Sequence, residues 1–100
     1  MKIIFGAPGS GKTKAILELS AKNNIPVLCE SAQRVQRLLV KAEGYGFKIP
    51  APVTVDELNE TITAVYVDDI KRLLEVVLNV NLAGITVNND NLEIVDLDKR

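Results

Sequence analysis

Residues 1–13 read MKIIFGAPGSGKT, and the rest of the chain is organised around this stretch. Its apolar run, residues 2–5, is long enough to form a short buried strand. Residues 6–13 then follow the pattern G-x-x-x-x-G-K-T, whose glycines let the backbone wrap closely around an anion. Residues 14–19 favour a helix. This order predicts a phosphate-binding loop, because amides at the start of a helix can donate to a bound phosphate group.

The loop resembles the Walker A motif of the P-loop NTPase superfamily, and its wording GAPGSGKT is most similar to the ATPase branch that contains AAA+ and RecA/helicase-type members. The resemblance extends over the first 22 residues and is traceable to about residue 88. It implies that the loop binds ATP, with Lys12 as a catalytic cation on the β- and γ-phosphates and the Thr13 hydroxyl on Mg²⁺. The other nucleotide contacts implied in and beside the loop are Gly6, Pro8, Gly9, Ser10, Gly11 and Lys14.

A second junction of strand and acid, AVYVDD at residues 64–69, resembles the Walker B element. The resemblance assigns Asp68 to Mg²⁺ through a coordinated water, since ligands gather at the carboxyl ends of parallel strands. Asp69 stands where this branch often has a glutamate that polarises the attacking water. We expect it to be a catalytic base that works slowly, because it is one methylene shorter, or a cap for the following helix. Asn88 is assigned to sensing the γ-phosphate, with an ordinary turn as the alternative.

Hydrophobic periodicity divides the chain into alternating strands and helices, which predicts an α/β domain with a mainly parallel sheet. Further strands are expected at residues 25–30, 62–67, 84–87 and 92–97, the last two as a hairpin. Helices are expected at residues 11–22, from Ser31 to a stop at Gly44, and at residues 70–78. Residues 53–55 suit a short edge strand and residues 55–60 a short helix, and the sequence does not decide how they divide.

The resemblance implies a three-layer, P-loop NTPase-like fold in which residues 1–100 form one domain. The sheet would have about five strands flanked by helices. In the ATPase branch one strand lies between the P-loop strand and the Walker B strand, and we predict that residues 84–87 form this inserted strand.

The amino-acid composition limits the kinds of catalytic and metal sites that the chain can form. The chain has 47% apolar and 25% charged residues, enough for one folded core, and it has no histidine, which excludes histidine-based catalysis and most zinc sites. The single cysteine, Cys29, lies in an apolar run and is expected to be a buried thiol in a reducing compartment. No apolar run can span a bilayer and glycine follows the fifth residue, so we expect a cytoplasmic protein without signal peptide or membrane partner.

Two features suit nucleic acid, and each has a plainer alternative. The first 50 residues carry eight basic and three acidic side chains, and the last 50 carry four and ten. A basic half suits phosphate contact, whereas interleaved halves would cancel the asymmetry in space. Tyr45 and Phe47 suit base stacking, whereas the alternative is a surface loop with Phe47 in the core.

The leading function implied by the resemblance is a Mg²⁺-dependent ATPase that hydrolyses the β–γ phosphate bond, by analogy in DNA replication, recombination or packaging of a phage or mobile element. Arg34, Arg37 and Arg72 are expected to face solvent. A second copy in a homo-oligomer, or a protein partner, would then supply an arginine. The alternatives are a non-hydrolysing nucleotide-binding module for regulation or assembly and a small nucleotide or nucleoside kinase.

Overall fold

The glycine-rich loop lies between strand β1 (Lys2–Phe5) and helix α1 (Lys12–Asn23) in the computed structural model, which describes residues 1–99. The other elements are, in chain order, β2 (Val27–Cys29), α2 (Ala32–Tyr45), β3 (Val53–Thr54), a 3₁₀ turn (Val55–Glu57), β4 (Tyr66–Val67), α3 (Ile70–Leu78) and β5 (Glu93–Asp96). The α/β class is therefore confirmed. The undecided stretch at residues 53–57 divides into a two-residue strand and a single turn, and Thr54 caps that turn as its capping-box pattern indicates.

Every strand pairing between residues 1 and 99 is parallel, but the strands form two sheets. β1 pairs with β5, with Lys2 opposite Glu93, and β2 lies between β3 and β4. A single sheet of about five strands is therefore not formed. The β1–β5 pair also joins the two ends of the sequence, so that the basic and acidic halves interleave as the plainer alternative expected.

The predicted strand at residues 84–87 is wrong, and so is the predicted terminal hairpin. These described residues have no regular secondary structure, and β5 pairs with β1 instead. Ile85 is 62% exposed and Val87 is 45% exposed. Their alternation favours extended backbone, but a strand also needs a neighbouring edge to complete its hydrogen bonds, and β1 and β4 do not meet here. The predicted strand at residues 62–67 shortens to β4.

Helix ends follow the backbone conformation of the residues that stop them. α2 continues through Gly44 and ends at Gly46, which has the left-handed φ of 77°. The amides of Gly46 and Phe47 donate to the carbonyls of Glu43 and Ala42 at 3.0 and 2.9 Å, which satisfies the last turn. The predicted stop at Gly44 is therefore wrong, because only Gly46 adopts the conformation that such a stop requires.

The core lies where α1 and α2 pack on each other and on β2. Its buried members are Leu17, Val27, Cys29, Leu38 and Ala42. Phe47 packs against this cluster, which confirms the core alternative for that ring. α3 has the predicted bounds, and Leu73 is its one buried residue. Within residues 1–99, no helix has the length and apolar character needed to cross a bilayer.

Candidate functional site

The glycine-rich loop is shaped by two residues in the left-handed region of backbone space. Gly9 has a φ of 80° and Gly11 a φ of 96°. The Ser10 amide donates to the Ala7 carbonyl at 3.1 Å, so the chain turns back on itself before α1 begins. Gly11 caps α1 without a side chain, and the first turn contains no acidic residue. The amides of that turn therefore have no side-chain acceptor and are available to an anion.

The entrance to the loop is packed too closely for any residue but glycine at position 6. A Cβ on Gly6 would lie 2.5 Å from Ser10 Oγ and 3.2 Å from Leu97 Cβ. The Ser10 hydroxyl is buried and has no hydrogen-bond partner among residues 1–99. On the other side, the Ala7 amide donates to Asp98 Oδ2 at 2.8 Å, so the residues after β5 brace the loop. The unsatisfied hydroxyl fits a loop whose partner is a ligand.

Lys12 crosses the loop from its far end. Its ammonium donates to the carbonyls of Gly6 and Ala7 at 2.7 and 2.8 Å. These contacts join the two ends of the loop. A bound phosphate would offer the ammonium a charged acceptor in place of two neutral ones, and hydrogen bonds between charged groups are the stronger kind.

The carboxyl end of β4 meets the start of α1 at Asp68. The Thr13 hydroxyl donates to Asp68 Oδ2 at 3.0 Å, so the two residues assigned to Mg²⁺ are brought together. The Arg34 guanidinium forms a hydrogen bond and an ion pair with the same oxygen. The side chain of Asp68 is 7% exposed and that of Arg34 is 14% exposed. The expectation that Arg34 faces solvent is therefore wrong.

Arg34 reaches Asp68 because of how α2 begins. The Arg34 amide donates to the Ser31 hydroxyl at 3.2 Å, and this cap directs the first turn of α2. β2, which precedes α2, is the direct neighbour of β4, so this turn starts beside the end of the strand that carries Asp68. Sequence reasoning missed Arg34. The available signal was a basic residue in a first helical turn, where acidic residues are the favoured kind.

The oxygen atoms at this site suit Mg²⁺ better than a metal ion whose ligands all come from the protein. Thr13 and Asp68 offer two hard oxygen ligands close together. Within the described residues, no three His, Cys, Asp or Glu side chains are grouped so as to hold a metal ion. Mg²⁺ typically takes one or two protein oxygens and completes its shell with water and substrate phosphates.

The structure places the other predicted site residues in three different settings. Asp69 has a φ of 61°, and its Oδ1 accepts from the Arg72 amide at 3.2 Å, which confirms that it caps α3. Its role as a base stays a prediction. Asn88 is exposed in a stretch without regular secondary structure and does not end a strand, and no hydrogen bond joins it to the loop in the described part of the chain. Pro8 and Lys14 are exposed beside the loop, with Lys14 Nζ 5.5 Å from the centre of the Tyr45 ring.

Cys29 lies at the end of β2 beside this cluster, buried and without a disulfide partner, as predicted. Burial, and after it the charge of Glu30, raises the pKa of its thiol from 9.0 to about 11. Because the thiolate is the reactive form, we expect native Cys29 to react with a thiol reagent at pH 8 about a hundredfold more slowly than in urea. The unfolded thiol ionises first, so stability should also fall as the pH rises from 9.0 towards 11.

The rate of reaction with a disulfide reagent, measured from pH 7 to 10 in native buffer and in urea, tests this prediction about Cys29. Equal rates in the two conditions would contradict it.

No family model matches this chain, and no curated protein and no solved structure matches it either. The case for a nucleotide site therefore rests on the loop, on Lys12 and on the contact between Thr13 and Asp68.

Proposed function

We propose that this chain is a P-loop protein that binds ATP together with Mg²⁺ and hydrolyses the β–γ phosphate bond. One observation carries the proposal. The left-handed glycine loop opens onto an uncapped helix start, and the first residues of that helix reach the acid at the end of β4. A loop that served only as a turn would need neither the unsatisfied amides nor the buried acid beside them.

The chain's own groups divide the work as follows. The loop amides and Lys12 bind the phosphates, and Thr13 and Asp68 hold Mg²⁺. When bound, Mg²⁺ neutralises charge on the phosphate oxygens as the bond to the leaving group breaks. Lys12 is already held within the loop through its contact with Gly6, so little side-chain freedom is lost when it turns to phosphate. The carboxylate of Asp69 is held by its cap at Oδ1, and its second oxygen is the acceptor for the attacking water.

The finer fold assignment is part of the same proposal. We infer the three-layer P-loop NTPase architecture from the order of β1, loop and α1, from the parallel pairing of the five strands, and from the contact of α1 with the end of β4. By analogy to compact ATPases, the protein would act in DNA replication, recombination or packaging.

Titration calorimetry of the purified chain with MgATP tests the nucleotide site. We expect Lys12→Ala to weaken binding at least about tenfold, because charge-assisted hydrogen bonds to phosphate are lost. Lys22→Ala is the matched control, since Lys22 is an exposed lysine in the last turn of the same helix, and it should bind as the unmodified protein does. Failure of the unmodified chain to bind MgATP, or equal binding by both variants, would overturn the proposal.

A second candidate, the non-hydrolysing nucleotide-binding module, is favoured by the cap that Asp69 forms on α3. A carboxylate committed to a helix end and one methylene short is a poor base. The two candidates differ in phosphate release. Binding of MgATP with release at the background rate, together with a nucleotide-dependent change in oligomer size, would favour the module. Release stimulated by DNA, or by a partner that supplies an arginine, would favour the ATPase.

A further inference from the structure

A single carboxylate oxygen in this site has two donors. Asp68 Oδ2 accepts from the Thr13 hydroxyl at 3.0 Å and also pairs with the Arg34 guanidinium. All three groups lie at the junction of α1, α2 and β4, and the two charged side chains are largely buried. One oxygen of the carboxylate assigned to Mg²⁺ is therefore engaged by a cation of the protein itself.

We propose that Arg34 holds the place of the divalent cation in the nucleotide-free protein and leaves Asp68 when that cation binds. The inference rests on the proposed function, because it concerns the same metal site. Two cations that shared one buried oxygen would repel each other strongly, since charge interactions are weakly screened away from water. Arg34 and Mg²⁺ therefore exclude each other at Asp68.

The position of Arg34 on its helix supports this role. Arg34 is the third residue of α2, and no acidic residue accompanies it in that turn. A positive charge is unfavourable there, because the start of a helix is itself the positive end of the helix dipole. The contact with Asp68 offsets this unfavourable placement. When Mg²⁺ takes over the carboxylate, that compensation disappears and the guanidinium is repelled by both the ion and the helix.

The guanidinium is also incompletely satisfied. Arg34 Nε is buried and has no hydrogen-bond partner in residues 1–99. A buried donor without a partner is costly, so a new acceptor for Nε would stabilise this side chain. The interaction with Asp68 is made through the terminal nitrogen alone.

The Glu30 carboxylate can receive the Arg34 side chain when it leaves Asp68. The side chain of Glu30 is 5% exposed and forms an ion pair with Arg72, in which Oε1 lies 3.0 Å from Nε at an angle that makes no hydrogen bond. Glu30 directly precedes Ser31, the cap of α2, and lies four positions before Arg34. Within residues 1–99, Arg34 Nε donates no hydrogen bond and Glu30 Oε1 accepts none. Movement of Arg34 towards Glu30 would satisfy both.

The consequence is a dependence of metal binding on nucleotide. The metal ion alone must displace Arg34 using two protein oxygens, and should bind weakly. An ion that binds together with the nucleotide gains phosphate oxygens as further ligands, and it therefore displaces Arg34 more easily. Arg34 is thus a positioning residue that orients Asp68 while lowering the affinity for free divalent cation.

Binding of Mn²⁺ without nucleotide, followed by electron paramagnetic resonance, tests the exclusion directly. We expect Arg34→Gln to bind Mn²⁺ at least about tenfold more tightly than the unmodified protein, because a repelling unit charge is removed. Arg34→Lys retains the charge and should stay close to the unmodified protein. Arg37→Gln removes an exposed charge three residues further along α2 and should change little. If Arg34→Gln binds no more tightly, or if Arg34→Lys tightens binding as much, the inference is overturned.

A measurement on the unmodified protein covers the case in which a variant fails to fold. In ¹⁵N-resolved NMR, the Arg34 Nε–H signal should shift when MgATP is added, the Gly11 amide should shift with it, and the Arg37 signal should stay in place. A shift at Gly11 without one at Arg34 would overturn the inference and leave the nucleotide site intact. If neither signal moves, the proposed function fails and the inference fails with it.

Discussion

Asp68→Ala is expected to lower the free energy of unfolding by about 3 kcal/mol, even in the absence of nucleotide. The substitution removes the partner of Arg34, whose side chain is only 14% exposed, and leaves a charge buried without compensation. The value lies at the low end of the range for broken buried pairs, because the Arg34 side chain keeps some exposure to solvent. A domain of this size has a free energy of unfolding of only about 5–15 kcal/mol, so this loss is a large part of the total. The melting temperature should therefore fall by at least about 10 °C.

Two further variants separate this effect of Asp68 from ordinary loss of a carboxylate. Asp69→Ala removes only the cap of α3 and should cost about 1 kcal/mol. The double variant Arg34→Met/Asp68→Leu replaces both partners with apolar groups and should cost less than Asp68→Ala alone. Urea denaturation of the four proteins decides the matter. Equal losses for Asp68→Ala and Asp69→Ala would show that the pair contributes no special stabilisation.

Gly11→Val is expected to weaken MgATP binding more than about a hundredfold, because several hydrogen bonds from amide to phosphate are lost together. Gly11 has a φ of 96°, a conformation from which a β-branched residue is excluded. No atom lies within 4 Å of the position that a Cβ would occupy, so the effect comes from the backbone and not from a clash. The loop would relax to a different path, and its amides would no longer converge on one point.

The chain offers a matched control at Gly44. This glycine lies inside α2, has no positive φ, and a Cβ there would also meet open space. Gly44→Ala should therefore stabilise the protein by about 0.5–1 kcal/mol and leave MgATP binding unchanged. Calorimetry should therefore show weaker MgATP binding for Gly11→Val alone, and thermal denaturation should show a higher melting temperature for Gly44→Ala. Tight binding by Gly11→Val would contradict the role given to the loop backbone.

Much of the candidate site could be predicted from short stretches of the sequence. The strand, loop and helix of residues 1–13, the bounds of α3 and the cap formed by Asp69 depend on neighbours within a few positions. Backbone preference and hydrogen bonds between near neighbours decide such features, and residue types report both. The buried state of Cys29 followed in the same way from its apolar run.

Contacts between distant residues were decided only by the tertiary structure. Arg34 and Asp68 are 34 positions apart, and nothing in either local sequence shows that α2 begins beside the end of β4. Residues 84–87 have the composition of a strand, yet no edge of either sheet pairs with them. The glycine loop could be predicted because its chemistry is contained in consecutive residues. The partner of Asp68 could not, because long-range pairing is set by which elements pack together and not by the preference of any one segment.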